Sequence, residues 1–278
     1  MQKPAQVVLA VVLVSLAGVV GWQVLRERER EPVYEGKRLS VWLAILSKEW
    51  MNGDYKIRDD QPIRQIGTNA LPVLIEMLHS QDTRLKQLMM TWANKQKLVQ
   101  FHFKSAYIRR QDAVLGYTIL GPLASPQVPS LIGTLTYAPS PRIRQAVVDA
   151  LGRIGPEARL AAPALFRATK DMDLGVRNDA FDALGRILPN PELTIPVLVV
   201  GLDDPSLFVR DNATISLGNY GPAARAAVPA LVRMLATNRA SNSEHDENRS
   251  ALKKIEYDAA SSALKKIDPE AAAKAGVE

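Results

Sequence analysis

The sequence predicts an all-α protein: an α–α superhelix of stacked helical pairs, preceded by a single N-terminal transmembrane helix. Three observations carry this prediction. Residues Ala5 to Leu25 form an uncharged run of 21 residues. A helical motif recurs every 33 residues in the second half of the chain. Aromatic residues are only 6% of the 278, while Ala, Leu, Val and Ile are plentiful, which favours small-residue helix packing over a β-rich fold.

The first element is the run AQVVLAVVLVSLAGVVGWQVL, residues 5–25. A helix of that length crosses a hydrocarbon core of roughly 30 Å. Trp22 sits near one end, where an indole suits the interface. The rival is a cleaved signal peptide with Ser15-Leu16-Ala17 as the cleavage site, which would leave the apolar mature start GVVGWQVL; the uncleaved anchor is preferred. A charged linker, residues 26–39, follows with Arg26-Glu27-Arg28-Glu29-Arg30-Glu31. Only Lys3 and the amine precede the span, whereas Arg26, Arg28, Arg30, Lys37 and Arg38 follow it. A count of basic residues alone therefore puts the C-terminal domain in the cytoplasm.

Residues 40–278 read as a repeat array of about six units. Ile143–Gly155, Val176–Leu188 and Val209–Gly221 align without gaps, and Pro163, Pro196 and Pro229 follow eight residues after each. Val176, Ala180, Ala183, Leu184 and Ile187 lie at i, i+4, i+7, i+8 and i+11, one apolar helical stripe. Gly155-Pro156 and Gly221-Pro222 end that helix. Each later proline is expected to open the second helix, in whose first turn its missing N–H is not needed. Gly121 with Pro129, and Gly67 with Pro72 across a shortened turn, extend the frame backwards; Ala259–Ala272 extends it forwards. Insertions fall near 79–106, expected to add helix, and near 238–249, a polar loop. The first unit departs from the pattern, with Pro62 inside the expected helix, and the last has Glu256 in the apolar first slot. Degenerate ends are expected of a solenoid, whose terminal units face water.

Val176-Arg177, Ala183-Leu184-Gly185 and Pro196-Val197-Leu198, with their counterparts one unit away, resemble the HEAT repeat in its short form, also found in phycobilisome-lyase-type repeats. The resemblance implies an armadillo/HEAT-like solenoid whose second helices line the concave face. Pro32–Leu43 and Ala263–Gly276 also resemble a bacterial group of N-terminally anchored HEAT-repeat proteins. That likeness implies an extracytoplasmic domain, against the count of basic residues.

The composition excludes much chemistry. Without cysteine there is no disulfide scaffold, thiolate metal site or cysteine nucleophile. His79, His102 and His245 are too scattered for a multi-imidazole site. No P-loop, G-x-G-x-x-G, G-x-S-x-G or H-E-x-x-H occurs. The chain lacks the His-Glu pairs through which deoxyhypusine hydroxylase, a HEAT-type enzyme, binds its metal. The sequence therefore implies no catalytic residue, no cofactor and no metal.

Arg110, Arg144, Arg177 and Arg210 recur once per unit; they could form a column of anion-binding guanidinium groups, but the preferred reading is structural, each binding turn carbonyls or an acid of the neighbouring unit. Ile75, Ile132, Phe166, Val199 and Val232 read as a packing column. The next column, Glu76, Gly133, Arg167, Val200 and Arg233, varies in chemistry, so stacking does not dictate it. Glu76, Arg167 and Arg233, with His79 and Lys170 one turn on, are the candidate partner-binding residues. The first insertion sets Lys86, Lys95, Lys97 and Lys104 among Trp92, Phe101, Phe103 and Tyr107, a composition able to bind single-stranded nucleic acid or anionic lipid but better read as an amphipathic helix. The expected function is a non-catalytic, membrane-tethered scaffold for a protein partner, with nucleic acid unlikely as a ligand. The alternatives are binding of an anionic polymer or lipid headgroup, or a HEAT-type lyase-like activity.

Overall fold

The computed structural model describes residues 31–51, 60–82, 104–240 and 247–277, with isolated positions at 84, 87 and 91. The expected span at 5–25, the aromatic part of the first insertion and most of the polar loop lie outside them. Among the described residues no helix is long and apolar enough to cross a membrane. The described chain forms two compact units, one ending at Val73 and one beginning at Leu74.

The first unit opens with a feature that the linker reading did not contain. Strands β1 (Val33–Tyr34) and β2 (Lys37–Arg38) pair as a minimal antiparallel hairpin. Glu35 and Gly36 turn it with positive φ values of 49° and 71°. Helix α1 (Leu39–Met51) buries Leu39, Leu43 and Leu46, the i, i+4, i+7 stripe of an amphipathic helix. Trp42 holds the hairpin on α1: its Nε1 donates to Tyr34 O at 3.0 Å, and Lys37 Nζ lies 4.2 Å from its ring centroid. Helix α2 (Gln61–Ile66) has Pro62 in its first turn, not in its interior as the repeat frame predicts. A proline is compatible with helix only there, so α2 starts where Pro62 permits.

Helix α3 spans Leu71–Leu78. The second unit then stacks pairs: α4 (Ala106–Leu120) with α5 (Val128–Tyr137), and α6 (Pro141–Ile154) with α7 (Ala162–Ala168). Next come α8 (Leu174–Ile187) with α9 (Pro191–Gly201), α10 (Leu207–Tyr220) with α11 (Val228–Ala240), and α12 (Glu247–Ile267) with α13 (Pro269–Lys274). The first helices pack in file: α4 on α6, α6 on α8, α8 on α10, α10 on α12. Each second helix from α5 to α11 also packs against the first helix of the next pair. No pair closes its own core. Val176, Leu184, Val209 and Leu217, all fully buried, lose water only because a neighbour covers them.

Short 3-10 turns join most pairs, as at Gly155–Ala161 and Gly221–Ala227. Gly155 ends α6 at φ 80°, a left-handed value that costs glycine little. Leu188 takes the same slot after α8 at φ 48° and ψ 61°. Here the connection differs from expectation. The second helix starts at Pro191, capped by Asn190, whose side chain accepts from the N–H of Glu192, and Pro196 lies inside it. With Leu188 in place of Gly-Pro, the chain restarts its helix at the first available cap and proline.

The ALG triplet of the repeat has a packing cause. A Cβ added at Gly152 would meet the Cα of Ala183 at 3.2 Å, and one at Gly218 the Cα of Ala263 at 3.2 Å. At Gly185 it would meet Ser216 Oγ at 2.1 Å and Cα at 2.8 Å. The glycine of one unit therefore admits the alanine or serine of the next, and the first helices approach almost backbone to backbone.

Candidate functional site

Two polar ladders run along the stack. In the first, Arg144 donates through Nε and Nη2 to Asp171, at 2.8 and 2.9 Å, and through Nη1 to the carbonyls of Ala138 and Pro139. Arg177 repeats this with Asp204 at 3.2 Å and the carbonyls of Asp171 and Met172. Arg210 does so with Glu256 at 2.6 Å and the carbonyls of Asp204 and Pro205. Each guanidinium thus ties the turn that precedes its helix to an acid of the following unit. Asp171 also accepts from the N–H of Asp173 at 2.9 Å, shaping the turn. Burial disfavours its charge, but the hydrogen bond from Arg144, the Asp173 N–H and the charges of Arg144 and Arg177 outweigh it and hold its carboxyl below the usual range.

The second ladder joins the first helices. Gln145 Nε2 and Asn178 Nδ2 donate to the two oxygens of Asp179, at 3.0 and 3.1 Å, and Asn212 Nδ2 donates to Asn178 Oδ1 at 3.0 Å. Among the described residues no cation joins the pattern. Burial, with the charges of Asp149 and Asp182, outweighs the hydrogen bonds from Gln145 and Asn178 and pushes the Asp179 carboxyl up. Ser216 Oγ to Phe181 O, Asn219 Nδ2 to Gly185 O and Tyr220 Oη to Pro189 O complete the seam between α8 and α10 and its following turn.

The candidate partner residues stand on the second-helix side. Glu76, Arg167, Lys170 and Arg233 are exposed. The neighbouring column, Ile75, Ile132, Phe166, Val199 and Val232, is half-buried at every rung. His79 is already engaged. Its Nδ1 lies 2.8 Å from Ile75 O, which can only accept, and its Nε2 lies 3.2 Å from Thr134 Oγ1, linking α3 to α5.

Arg167 and Arg233 each line a groove, and the two grooves are built alike. One, about 270 Å³, is walled by Thr136, Ala138, Arg144, Ala164, Arg167 and Asp171. The other, about 550 Å³, has Leu202, Asp204, Arg210, Ala230, Arg233 and Thr237 at positions 66 residues later, two units on. The intervening position is Val200, 70% exposed. The paired arginines of the ladder form the floor, and Arg167 and Arg233 are the side chains left to face a ligand. Among the described residues no group of His, Cys, Asp and Glu could hold a metal ion. The basic, aromatic stretch of the first insertion lies mostly outside the described residues. Lys104 donates to Asp112 at 2.8 Å, and Tyr107 is 63% exposed.

The pair of grooves was not visible beforehand, although its signal was: Arg167 and Arg233 differ by twice the repeat length. A third cavity, between the first helices and walled in part by Arg110 and Arg142, left no motif to find.

Stacked helical pairs locked by an arginine–carboxylate ladder define an α-helical repeat protein. Residues 128–218 match the family of HEAT repeats, in line with the resemblance read from the sequence. Among solved structures it is similar to an engineered protein from the Northeast Structural Genomics Consortium, 17% identical, covering 73% of this chain and 93% of that one with a TM-score of 0.38. No curated protein matches it.

Proposed function

We propose that the protein is a non-catalytic, membrane-tethered scaffold whose second-helix face holds a protein partner. One observation carries this reading. The same groove recurs two units apart, each copy offering one exposed arginine, Arg167 or Arg233, with exposed Val200 between them. Such a row suits a segment that lies along several units and presents acidic side chains at the two arginines. HEAT repeats in general mediate protein interaction, which supports the same reading. The test is charge reversal of both arginines, R167E/R233E, in tagged full chain crosslinked in cells. The expected result is loss of the crosslinked partner while the single Lys170→Glu variant retains most of it. Unchanged crosslinking by the double variant would remove the second-helix face as the binding surface.

In the same proposal residues 5–25 anchor the chain and the repeat domain lies outside the cytoplasm. Protease added to intact cells should then remove the domain. Full protection until the membrane is opened would place it on the other side.

A further inference from the structure

Among the described residues the first rung of the arginine ladder lacks its acid. Arg110 is only 5% exposed, and its Nη1 donates to the carbonyl of Ser80, just as Arg144 donates to that of Ala138. Among the described residues no carboxylate lies within ion-pair distance of it. The cause is a single position. The carbonyls of Ala138, Asp171 and Asp204 serve Arg144, Arg177 and Arg210 in the same way. Asp171 and Asp204 also turn their side chains to the arginine one unit back, Arg144 and Arg177. Ala138 has only a methyl group to offer Arg110. The insertion cannot replace the missing group, because residues 83–105 contain no Asp or Glu. Asp82 acts on Arg110 through its charge, but both its oxygens accept from the N–H of Ala106 at 3.0 Å.

Arg110 itself lines a cavity of about 190 Å³ together with Tyr107, Gln111, Arg142 and Gln145. Burial and the charge of Arg142 lower the basicity of the Arg110 guanidinium, and the charge of Asp82 offsets them only in part. The acids that also line the cavity are occupied: Asp149 pairs with Arg153 at 3.0 Å, and Asp179 accepts from Gln145 and Asn178. A buried arginine without a carboxylate is costly, and an anion that enters gains what the other rungs gain from their own acids.

We propose that Arg110, with Arg142 beside it, is a binding site for a carboxylate presented from outside the chain, which completes the rung that Ala138 leaves open. The carboxylate belongs either to a free small carboxylic acid or to an acidic side chain of a bound protein. The cavity that Arg110 and Arg142 line shares no residue with the second-helix grooves; Ala138 walls one of those grooves, so Arg142→Gln is the variant that lets either proposal fail alone.

The experiment is thermal unfolding of the full chain in a mild detergent, with sodium acetate or the blocked tripeptide Ac-Ala-Glu-Ala-NH2 added against sodium chloride at equal ionic strength. The expected result for the wild type is a saturating rise in Tm of a few degrees beyond that in chloride. Ala138→Asp should raise the Tm without added anion and abolish the further rise. Arg142→Gln, which changes an exposed side chain, should weaken the response several-fold, and it carries the test if Ala138→Asp does not fold. Saturation by the tripeptide at lower concentration than acetate assigns the carboxylate to a protein side chain; the reverse assigns it to a free acid. A wild-type response no larger than that to chloride overturns the proposal. So does an acetate response that survives both substitutions.

Discussion

Arg177 reaches Asp204, 27 residues ahead in the following unit, while its Nη1 holds the carbonyl of Asp171 at 2.9 Å. One side chain therefore spans two inter-unit turns. The pair is half-buried, with side-chain exposures of 20% and 13%, so solvent screens it only in part. Arg177→Met should cost about 2–3 kcal/mol, because it leaves Asp204 without its cation and two carbonyls without a donor. Arg177→Lys should recover less than half of that, since an ammonium cannot bridge both turns. Urea unfolding of the three proteins measures it. A loss below about 0.5 kcal/mol, the size of a surface pair, would show that the rung does not hold the stack.

The approach of α8 to α10 sets a second expectation. Gly185→Ala places a Cβ 2.8 Å from the Cα of Ser216, a backbone atom that no rotamer change removes. It should destabilise by about 2–3 kcal/mol even though alanine is the better helix former by about 1. Gly152→Ala meets Ala183 at 3.2 Å and needs a shift of only a few tenths of an ångström. There the helix gain and the crowding should nearly cancel. Equal effects of the two substitutions, read from chemical unfolding, would contradict the packing account of the ALG triplet.

How legible this was depended on what repeats. The helices, the ALG contact and the one-per-unit arginines followed from the 33-residue period, because stacking imposes the same demand on each unit. The irregular parts follow local rules that a period does not show. The hairpin at Val33–Arg38 depends on Trp42 bonding Tyr34 O and stacking under Lys37. The early start of α9 depends on Leu188 and the Asn190 cap. The vacant rung was invisible because it is an absence: Ala138 is unremarkable until the carbonyl roles of Asp171 and Asp204 identify its slot. The grooves needed coordinates, since Arg167 and Arg233 matter through what lies beneath them.

Asp179 and Asp171 predict opposite responses to pH. The folded state raises the Asp179 carboxyl above its unfolded value, so it binds more protons than the unfolded chain between the two, and stability falls as pH rises through that window. Asp179→Asn removes this loss. It should raise Tm by about 1–3 °C at pH 7, with the gain vanishing below the ordinary carboxylate range. Asp171 is lowered instead. Its contribution is complete at neutral pH and disappears as pH falls through the ordinary carboxylate range to its lowered value. Asp171→Asn should therefore flatten the Tm–pH profile below the ordinary carboxylate range, while Asp179→Asn flattens it above that range. The reverse assignment would refute both.

The last rung offers a test by exchange. Asp171 and Asp204 are 33 residues apart, and the next position in that series is Thr237, which carries no charge. Its carboxylate is supplied from elsewhere. Glu256 occupies a slot that is apolar in the earlier units, Ile143, Val176 and Val209, yet it is 92% buried and takes the 2.6 Å hydrogen bond from Arg210 Nε. Thr237, Arg210 and Glu256 wall the same groove, so a carboxylate at 237 has access to the guanidinium. Glu256→Val alone restores the apolar slot but strands Arg210, and it should cost about 1–3 kcal/mol. Thr237→Asp alone adds a second acid beside Glu256 and should be neutral or mildly unfavourable. Together they rebuild the arrangement of the two preceding rungs, and the double variant should recover the wild-type midpoint or exceed it. The coupling energy from a double-mutant cycle in urea should therefore be favourable by at least about 1 kcal/mol. Simple additivity would mean that Glu256 does not stand in for the missing acid.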